Sequence, residues 1–432
     1  MLSQSPSASR IARKALAVAG LLVCVWGIWS AGRAGLSRLL SKYAVATTGT
    51  RAPLLSPADQ AVSMTPDDPE AHFSRALVLW SLGRQPEGLA EYERATALRP
   101  RDYYLWMILG SSRDQLDDEK GALSALNEAV RLAPFYAQPR WQFGNVLFRA
   151  GQADEGFREM RAAALSDQTF LPNMIDLAWG ASNRDAAATE RLLQSESKHW
   201  RVALAHFFAR KGEAAAALNL YRAAGTLTEQ DRQTLIQELL STKGYAEAYE
   251  VWAAGAGSSN DKAQTGGLSQ MTNGSFEGQL KLDETGFGWQ FVRGVSTLKF
   301  SQDTIEPRAG AHSLRLDWSG DPPPAAPVTS QLVIVEPNAR YRLTFAARTQ
   351  EIVSGALPLV VVVDKSSADN RSLAQSKPLA KGSSNWQDYS LDFTTGNETR
   401  AILVGLQRET CASESCPIFG KLWLDNFSLQ KL

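Results

Sequence analysis

A spacing of 34 residues organises the first part of the chain. Prolines and alanines both recur at this interval. The prolines are Pro66, Pro100 and Pro134, and the alanines are Ala95, Ala129 and Ala163. A fixed period of this length with helical patterning predicts a solenoid of helical hairpins. One such hairpin cannot bury its apolar face alone, so its neighbours must stack on it to form a continuous core.

Small residues occupy the positions at which the two helices of each hairpin should cross. They are Ala76, Gly110 and Gly144 in the first helices, and Gly88, Ala122 and Gly156 in the second helices. A small side chain at a crossing lets the two backbones approach closely. Proline after the second helix ends that helix, and Gly or Asp between the helices accepts the turn conformation.

Residues 69–168 resemble the tetratricopeptide repeat family, with matching segments at 72–100, 105–134 and 141–167. A half-unit precedes them, a fourth unit spans 203–225, and a weaker helix pair ends near Ala254. Residues 169–197 keep helical periodicity but lose the family pattern. We therefore expect an all-α solenoid over 51–254.

The resemblance implies a concave surface that binds a protein partner. Arg75, Arg113 and Arg140 could face such a groove, although charged helix residues are more often solvated surface. The alternative is that the repeats only space the C-terminal domain from the membrane.

The run Ala15–Gly32 contains no charged residue. Its 18 residues would span about 27 Å as a helix, which nearly crosses a hydrocarbon core of about 30 Å. We expect an uncleaved transmembrane signal anchor over 15–32, preceded by a short cytoplasmic tail at 1–14. The rival is a cleaved signal peptide, which the length of the run and Trp29, at position −3 of the small-residue site after Ala31, disfavour.

Residues 255–270 are rich in Gly and Ser and predict a flexible linker. After them the pattern alternates as in β-strands. The strand-like segments are 312–318, 331–335, 341–348, 357–364, 388–393, 401–407 and 421–429. Short strands separated by turn signals predict an all-β sandwich or jelly roll over 271–432.

This region resembles the galactose-binding-like jelly roll of xylanase- and cellulase-associated carbohydrate-binding modules. The motifs lie in family order at 273–278, 288–289, 310–316, 341–348, 386–391 and 424–429. The resemblance implies a polysaccharide ligand. The candidate ligand residues are Trp318, Arg348, Gln350 and Gln407, each of which has an ordinary structural role as its alternative.

The family also implies a structural calcium, although no cofactor is required. Glu277 and Asp425 would supply hard oxygen ligands, and carbonyl groups near Arg308 and Gly310 would complete the shell. The alternative is that Asp425 only caps a turn or pairs with a cation.

Cys411 and Cys416 are separated by four residues. This spacing fits a small disulfide loop in an oxidising compartment, with two free thiols as the alternative. A zinc site would need about four ligands, and no further Cys or His lies nearby. Charges of both signs follow the apolar run too evenly to set orientation. The cysteine pair and the sugar-module resemblance place the bulk of the chain in the periplasm, anchored in a bacterial inner membrane.

The chain carries 45 basic and 45 acidic residues, and without a basic patch it does not predict nucleic-acid binding. Its four histidines lack metal-ligand spacing, and no nucleophile elbow or phosphate-binding loop occurs. We therefore expect a multidomain, single-pass envelope protein that is not an enzyme and takes part in polysaccharide assembly, export or adhesion. The alternatives are a purely structural scaffold that binds no sugar and a glycan-processing enzyme.

Overall fold

The computed structural model describes residues 6–49, 53–194, 197–255, 268–282, 284–321, 327–411 and 415–432. It confirms the multidomain architecture, with an N-terminal apolar helix, helical hairpins and a C-terminal β-sandwich. The chain divides into two compact units, Met1–Gln194 and Ser195–Leu432. The last two hairpins therefore group with the sandwich, whereas the sequence predicted a boundary at the linker.

The first helix, α1, runs without interruption over Pro6–Thr47. Within the described residues it qualifies by length and apolar composition as a helix able to cross a membrane, two criteria that a signal sequence also meets. Its side chains are exposed over 13–29, whereas Ser37, Ser41 and Ala44 are buried. Intervals of four and three residues place these three on one helical face.

The helical hairpins of the first unit follow directly. Their helices are α2 (Leu55–Met64), α3 (Pro69–Ser81), α4 (Gln85–Leu98), α5 (Tyr103–Gln115), α6 (Glu119–Leu132), α7 (Ala137–Arg149) and α8 (Ala153–Ser166). Each hairpin packs its two helices against each other and against the next hairpin. A 3₁₀ turn at Gln168–Phe170 leads to two shorter helices, α9 (Leu171–Ala181) and α10 (Ala186–Leu193).

The repeat begins earlier than residue 51, where we expected it. Residues 35–47, the end of α1, lie 34 positions before α3. Ala44, Val78, Ser112 and Val146 recur at this interval and are all buried. The last 13 residues of α1 therefore form the first helix of an additional hairpin, which α2 completes.

Aspartates define where several of these helices start. The side chains of Asp68, Asp102 and Asp118 accept a hydrogen bond from a backbone N–H in the first turn of α3, α5 and α6 respectively. Such capping satisfies a donor that has no partner inside the helix. Because Asp68 and Asp102 are 34 residues apart, the turn that reverses the chain is itself part of the repeat.

Four helices open the second unit. They are α11 (Lys198–Lys211), α12 (Ala214–Ala224), α13 (Glu229–Ser241) and α14 (Tyr245–Gly255). The Tyr245 hydroxyl donates to the Lys365 carbonyl oxygen at 2.7 Å, and the Trp252 indole donates to Glu284 at 2.7 Å. Helix α14 is thus bonded to two loops of the sandwich. Of the predicted linker, residues 256–267 lie outside the described residues.

Ten strands form the sandwich. They are β1 (Gln290–Phe291), β2 (Leu298–Asp303), β3 (Ser313–Gly320), β4 (Thr329–Ile334), β5 (Arg340–Ser354), β6 (Pro358–Asp364), β7 (Ser372–Gln375), β8 (Gly382–Thr394), β9 (Ala401–Arg408) and β10 (Ile418–Lys431). One antiparallel sheet has the order β1-β4-β9-β6-β7 and the other the order β2-β3-β10-β5-β8. Alternate residues of both sheets, among them Leu316, Phe345, Val362 and Leu424, bury one common core.

Candidate functional site

The small residues at the predicted crossings lie where the helices meet. A Cβ atom added at Gly144 would lie 2.7 Å from the Gly156 carbonyl oxygen, and one at Gly156 would lie 2.8 Å from the Gly144 carbonyl oxygen. Helices α7 and α8 therefore cross backbone to backbone at this pair. A Cβ atom at Gly110 would lie 2.6 Å from the Leu126 side chain.

The other three positions are equally closed. Ala76 and Ala122 are fully buried. A Cβ atom at Gly88 would lie 3.1 Å from the Trp80 ring and 3.2 Å from the Ala76 carbonyl oxygen. These six residues therefore set how closely the helices approach, and they hold no ligand.

A further periodic device has no counterpart in our sequence interpretation. His72, Trp106 and Arg140 lie 34 residues apart, and each ring or guanidinium nitrogen bonds the carbonyl oxygen of the proline six residues earlier. The three distances are 2.8 Å to Pro66, 2.9 Å to Pro100 and 2.8 Å to Pro134. Each bond satisfies a carbonyl group in the turn between hairpins.

The three arginines that we considered for a groove are engaged in ion pairs. Arg75 contacts Asp59 at 2.7 Å and also pairs with Glu91. Arg113 contacts Glu93 at 2.8 Å, and Arg140 pairs with Glu159. Their guanidinium groups therefore hold neighbouring helices together, so a partner would have to displace these contacts to use them.

The four candidate sugar-binding residues do not converge. Trp318 is only 4% exposed and lies in the sandwich core, so its ring cannot stack on a sugar and our interpretation of it was wrong. Gln407 lies on β9, in one sheet, whereas Arg348 and Gln350 lie on β5, in the other.

Arg348 belongs to a cluster on the outer face of its sheet, centred on Trp423. The guanidinium groups of Arg348 and Arg315 lie 4.9 Å and 5.6 Å from the Trp423 ring centroid. The indole donates to Asp303 at 2.9 Å. Burial alone would raise the pKa of Asp303, but the hydrogen bonds from Trp423 and Ile305 and the Arg315 guanidinium outweigh it and lower that pKa.

Beyond this cluster, the same face carries an exposed aromatic ring. Phe419 on β10 is 47% exposed and pairs in register with Ser319 on β3 and Val353 on β5. Two residues further along β10, Lys421 pairs with Gln350. We call Phe419, Lys421, Gln350 and Val353 the Phe419 face. It combines an accessible ring with polar groups, the combination that sugar recognition needs.

The proposed calcium ligands hold one loop. Asp425 is fully buried and accepts hydrogen bonds from the backbone N–H groups of Arg308 and Ala309, at 2.9 and 3.2 Å. Glu277 accepts from Ala311 and His312 in the same loop, at 2.9 and 3.1 Å. Burial, and to a smaller extent the Glu277 charge, raises the pKa of Asp425.

This donor set suits a hard cation only in part. Two carboxylates close together would be stabilised by a cation. However, no group of three or more His, Cys, Asp or Glu side chains that could hold a metal lies among the described residues. Carbonyl groups would have to supply the rest of a calcium shell, and calcium stays a prediction.

Cys411 and Cys416 are joined by a disulfide bond. The Cys416 N–H donates to Asp321 at 2.9 Å, and Arg408 donates to the Cys416 carbonyl oxygen at 2.5 Å. The loop is therefore also tied to the end of β9 and to the residue after β3 by hydrogen bonds. Residues 412–414 lie outside the described part of the chain.

No protein-family model matches the chain, and no curated protein matches it. Solved structures do. MamA from Desulfovibrio magneticus RS-1 is 20% identical, with a TM-score of 0.33, over 38% of this chain and 97% of that one. YrrB, described as a TPR protein with an unusual peptide-binding site, is 19% identical, with a TM-score of 0.28, over 33% and 77%. A CBM4 structure is 10% identical, with a TM-score of 0.29, over 38% and 99%. Both kinds of fold that the sequence resembles, TPR and CBM, thus recur among similar structures.

Proposed function

We propose that this chain is a membrane-anchored, non-catalytic scaffold of the cell envelope. The observation that carries the proposal is the continuity of α1, whose apolar first part leads directly into the first repeat hairpin. Large apolar side chains such as Leu16, Trp26 and Ile28 are exposed on it. Soluble monomers rarely expose so continuous an apolar surface, whereas a bilayer would cover it.

Alkaline carbonate extraction tests the anchor. The full-length protein should stay in the membrane pellet, because 18 apolar residues insert stably. Recovery of a soluble chain that begins near Arg33 would show cleavage and overturn the anchor.

The repeats, we propose, bind a protein partner. Contacts between neighbouring hairpins support this by making the array a fixed surface. Ser111 donates to Gln142 at 2.6 Å, and Arg149 contacts Asp114 at 2.5 Å. A preformed surface lowers the ordering cost of binding. Photo-crosslinking from Gln142 in intact cells should capture a defined protein, with the same probe at Glu119 in α6 as control. Identical products from both positions would argue against a specific groove.

For the sandwich we propose glycan binding at the Phe419 face, in polysaccharide assembly, export or adhesion. The exposed ring can stack on a pyranose, while Gln350 and Lys421 can bond its hydroxyl groups. A glycan array probed with full-length protein in detergent should give a signal that Phe419→Ala removes. Leu282→Ala, at a similarly exposed residue (52%), is the matched control.

An array without signal would favour the alternative of a purely structural scaffold. Turnover of a bound glycan would instead indicate an enzyme. For location, we propose the periplasmic side of an inner membrane, supported by the Cys411–Cys416 disulfide. Protease added to spheroplasts should degrade the repeats and sandwich, and protection of both would place them in the cytoplasm.

A further inference from the structure

Exposed apolar side chains in the first unit are concentrated at one edge. Six large ones occur among the described residues 53–194: Leu54, Leu82, Tyr104, Phe135, Tyr136 and Leu165. The last four lie in or next to the turns that join one hairpin to the next. The three most exposed are among them, with Phe135 at 86%, Leu165 at 69% and Tyr136 at 58%.

These turns form a single edge, which we call the proximal edge and define by residues 65–68, 99–102, 133–136 and 167–170. Contacts connect each turn to the next. Arg94, near the second turn, lies 3.5 Å from Asp67 in the first. The rings of Tyr103 and Tyr136 are 5.0 Å apart, and so are those of Trp141 and Phe170.

The height of this edge relative to the apolar run is fixed by α1. Ser37 bonds Thr65 at 2.6 Å, and Arg38 lies 3.9 Å from Asp68. At the other end of the hairpin, the Leu54 N–H donates to Thr47 at 2.9 Å. The first turn of the proximal edge is therefore level with Ser37, and the opposite edge is level with Thr47.

Ser37 lies five residues beyond Gly32, the end of the charge-free run. At 1.5 Å per residue this is about 7.5 Å along the helix axis. The headgroup region is roughly 5–7 Å thick on each side of a bilayer. If α1 spans the bilayer, the first turn of the proximal edge meets the headgroups.

We propose that the proximal edge rests on the same bilayer that α1 spans, with Phe135, Tyr136 and Leu165 among the lipid headgroups. This rests on the anchor of the proposed function. Aromatic side chains are enriched at this depth in membrane proteins. The opposite edge is formed by turns 82–84, 116–118 and 150–152, and it carries charged residues such as Arg84, Asp117 and Asp118.

The consequence is a fixed arrangement of the repeats on the membrane. Helices α3, α5 and α7 would stand upright beside α1, and the array would extend along the bilayer surface. A protein partner would then bind parallel to the membrane at a set height.

Depth-dependent quenching tests the proposal in the full-length protein. In a Cys24→Ala background, single cysteines replace Phe135 or Leu165 at the proximal edge, or Leu82 or Gln152 at the opposite edge, and carry an environment-sensitive dye. All four sites are exposed, so the label should not disturb the fold. The protein is reconstituted into phosphatidylethanolamine and phosphatidylglycerol vesicles with or without nitroxide-labelled headgroups.

We expect the dyes at both proximal sites to lose fluorescence in nitroxide vesicles and those at the opposite edge to keep it. Protein that floats with the vesicles but shows no quenching at either proximal site would overturn the proposal and leave the anchor intact. A blue shift without quenching would also overturn it, because another protein surface would then cover the edge. Equal quenching at all four sites would show no preferred edge. Failure to float would refute the anchor itself.

Discussion

The helix crossing at Gly144 gives the sharpest prediction, for the substitution Gly144→Ala. The added methyl group would lie 2.7 Å from the Gly156 carbonyl oxygen, 2.7 Å from Met160 Cγ and 3.1 Å from the Met160 backbone nitrogen. Two of these atoms belong to the backbone of α8, which cannot rotate away as a side chain can. Helix α8 must therefore move as a whole to relieve the contact.

The magnitude follows from two opposing effects. Overpacking a well-packed site costs roughly 1–3 kcal/mol, whereas replacing a helical Gly by Ala returns up to about 1 kcal/mol. The net loss should be about 1–2 kcal/mol, and a unit of this size loses roughly 2–4 °C of melting temperature per kcal/mol. Gly144→Ala should thus lower the melting temperature by roughly 2–8 °C.

Thermal melts of the full-length protein in detergent, followed by far-UV circular dichroism, provide the assay. Gly180→Ala is the matched control, because Gly180 lies in α9 with no atom within 4 Å of an added Cβ, and it should be neutral or slightly stabilising. Gly110→Ala should fall between them, since its nearest contact is the Leu126 side chain. If Gly144→Ala melts like Gly180→Ala, the close crossing of α7 and α8 is refuted.

Three further predictions concern the sandwich. Asp303→Asn should remove stability that is present above pH ~4 and lost as the pH falls through the lowered pKa of Asp303; urea unfolding at pH 7 and pH 3 checks this, and an equal effect at both would contradict it. Replacing Cys411 and Cys416 with Ser should cost about 2 kcal/mol or less, and full alkylation of envelope protein without reductant would count against the disulfide. EDTA should lower the melting temperature and calcium restore it, but not in Asp425→Asn; no response in the unmodified protein would mean that Glu277 and Asp425 hold their loop without metal.

The repeat could be predicted from sequence because its constraint is steric and local. A position that meets another backbone accepts only Gly or Ala, so Gly144 and Gly156 carry the period in their identity. His72, Trp106 and Arg140 share one role with three different side chains. Comparison of residue types cannot find such a set, but comparison of donors at a fixed spacing could have done so.

In the sandwich the error over Trp318 was avoidable. Leu314, Leu316 and Trp318 alternate along β3, and such a pattern places all three on one face. The environment of Trp423 could not be predicted in the same way. Arg315 and Arg348 reach its ring from the two neighbouring strands, and that contact depends on strand order and register, which local patterns leave open.

The start of the repeat within α1 links the two halves of the proposed function. Ser37 donates to the Ala61 carbonyl oxygen at 3.0 Å, and Ala44 packs with Ala58 and Val78. A helix that merely tethered the repeats would not need a buried stripe beyond the apolar run. Because this stripe binds α2 and α3, tilting α1 must tilt the first hairpin with it. The anchor therefore orients the repeats as well as retaining them, and a partner bound to them would be held at a defined height above the bilayer.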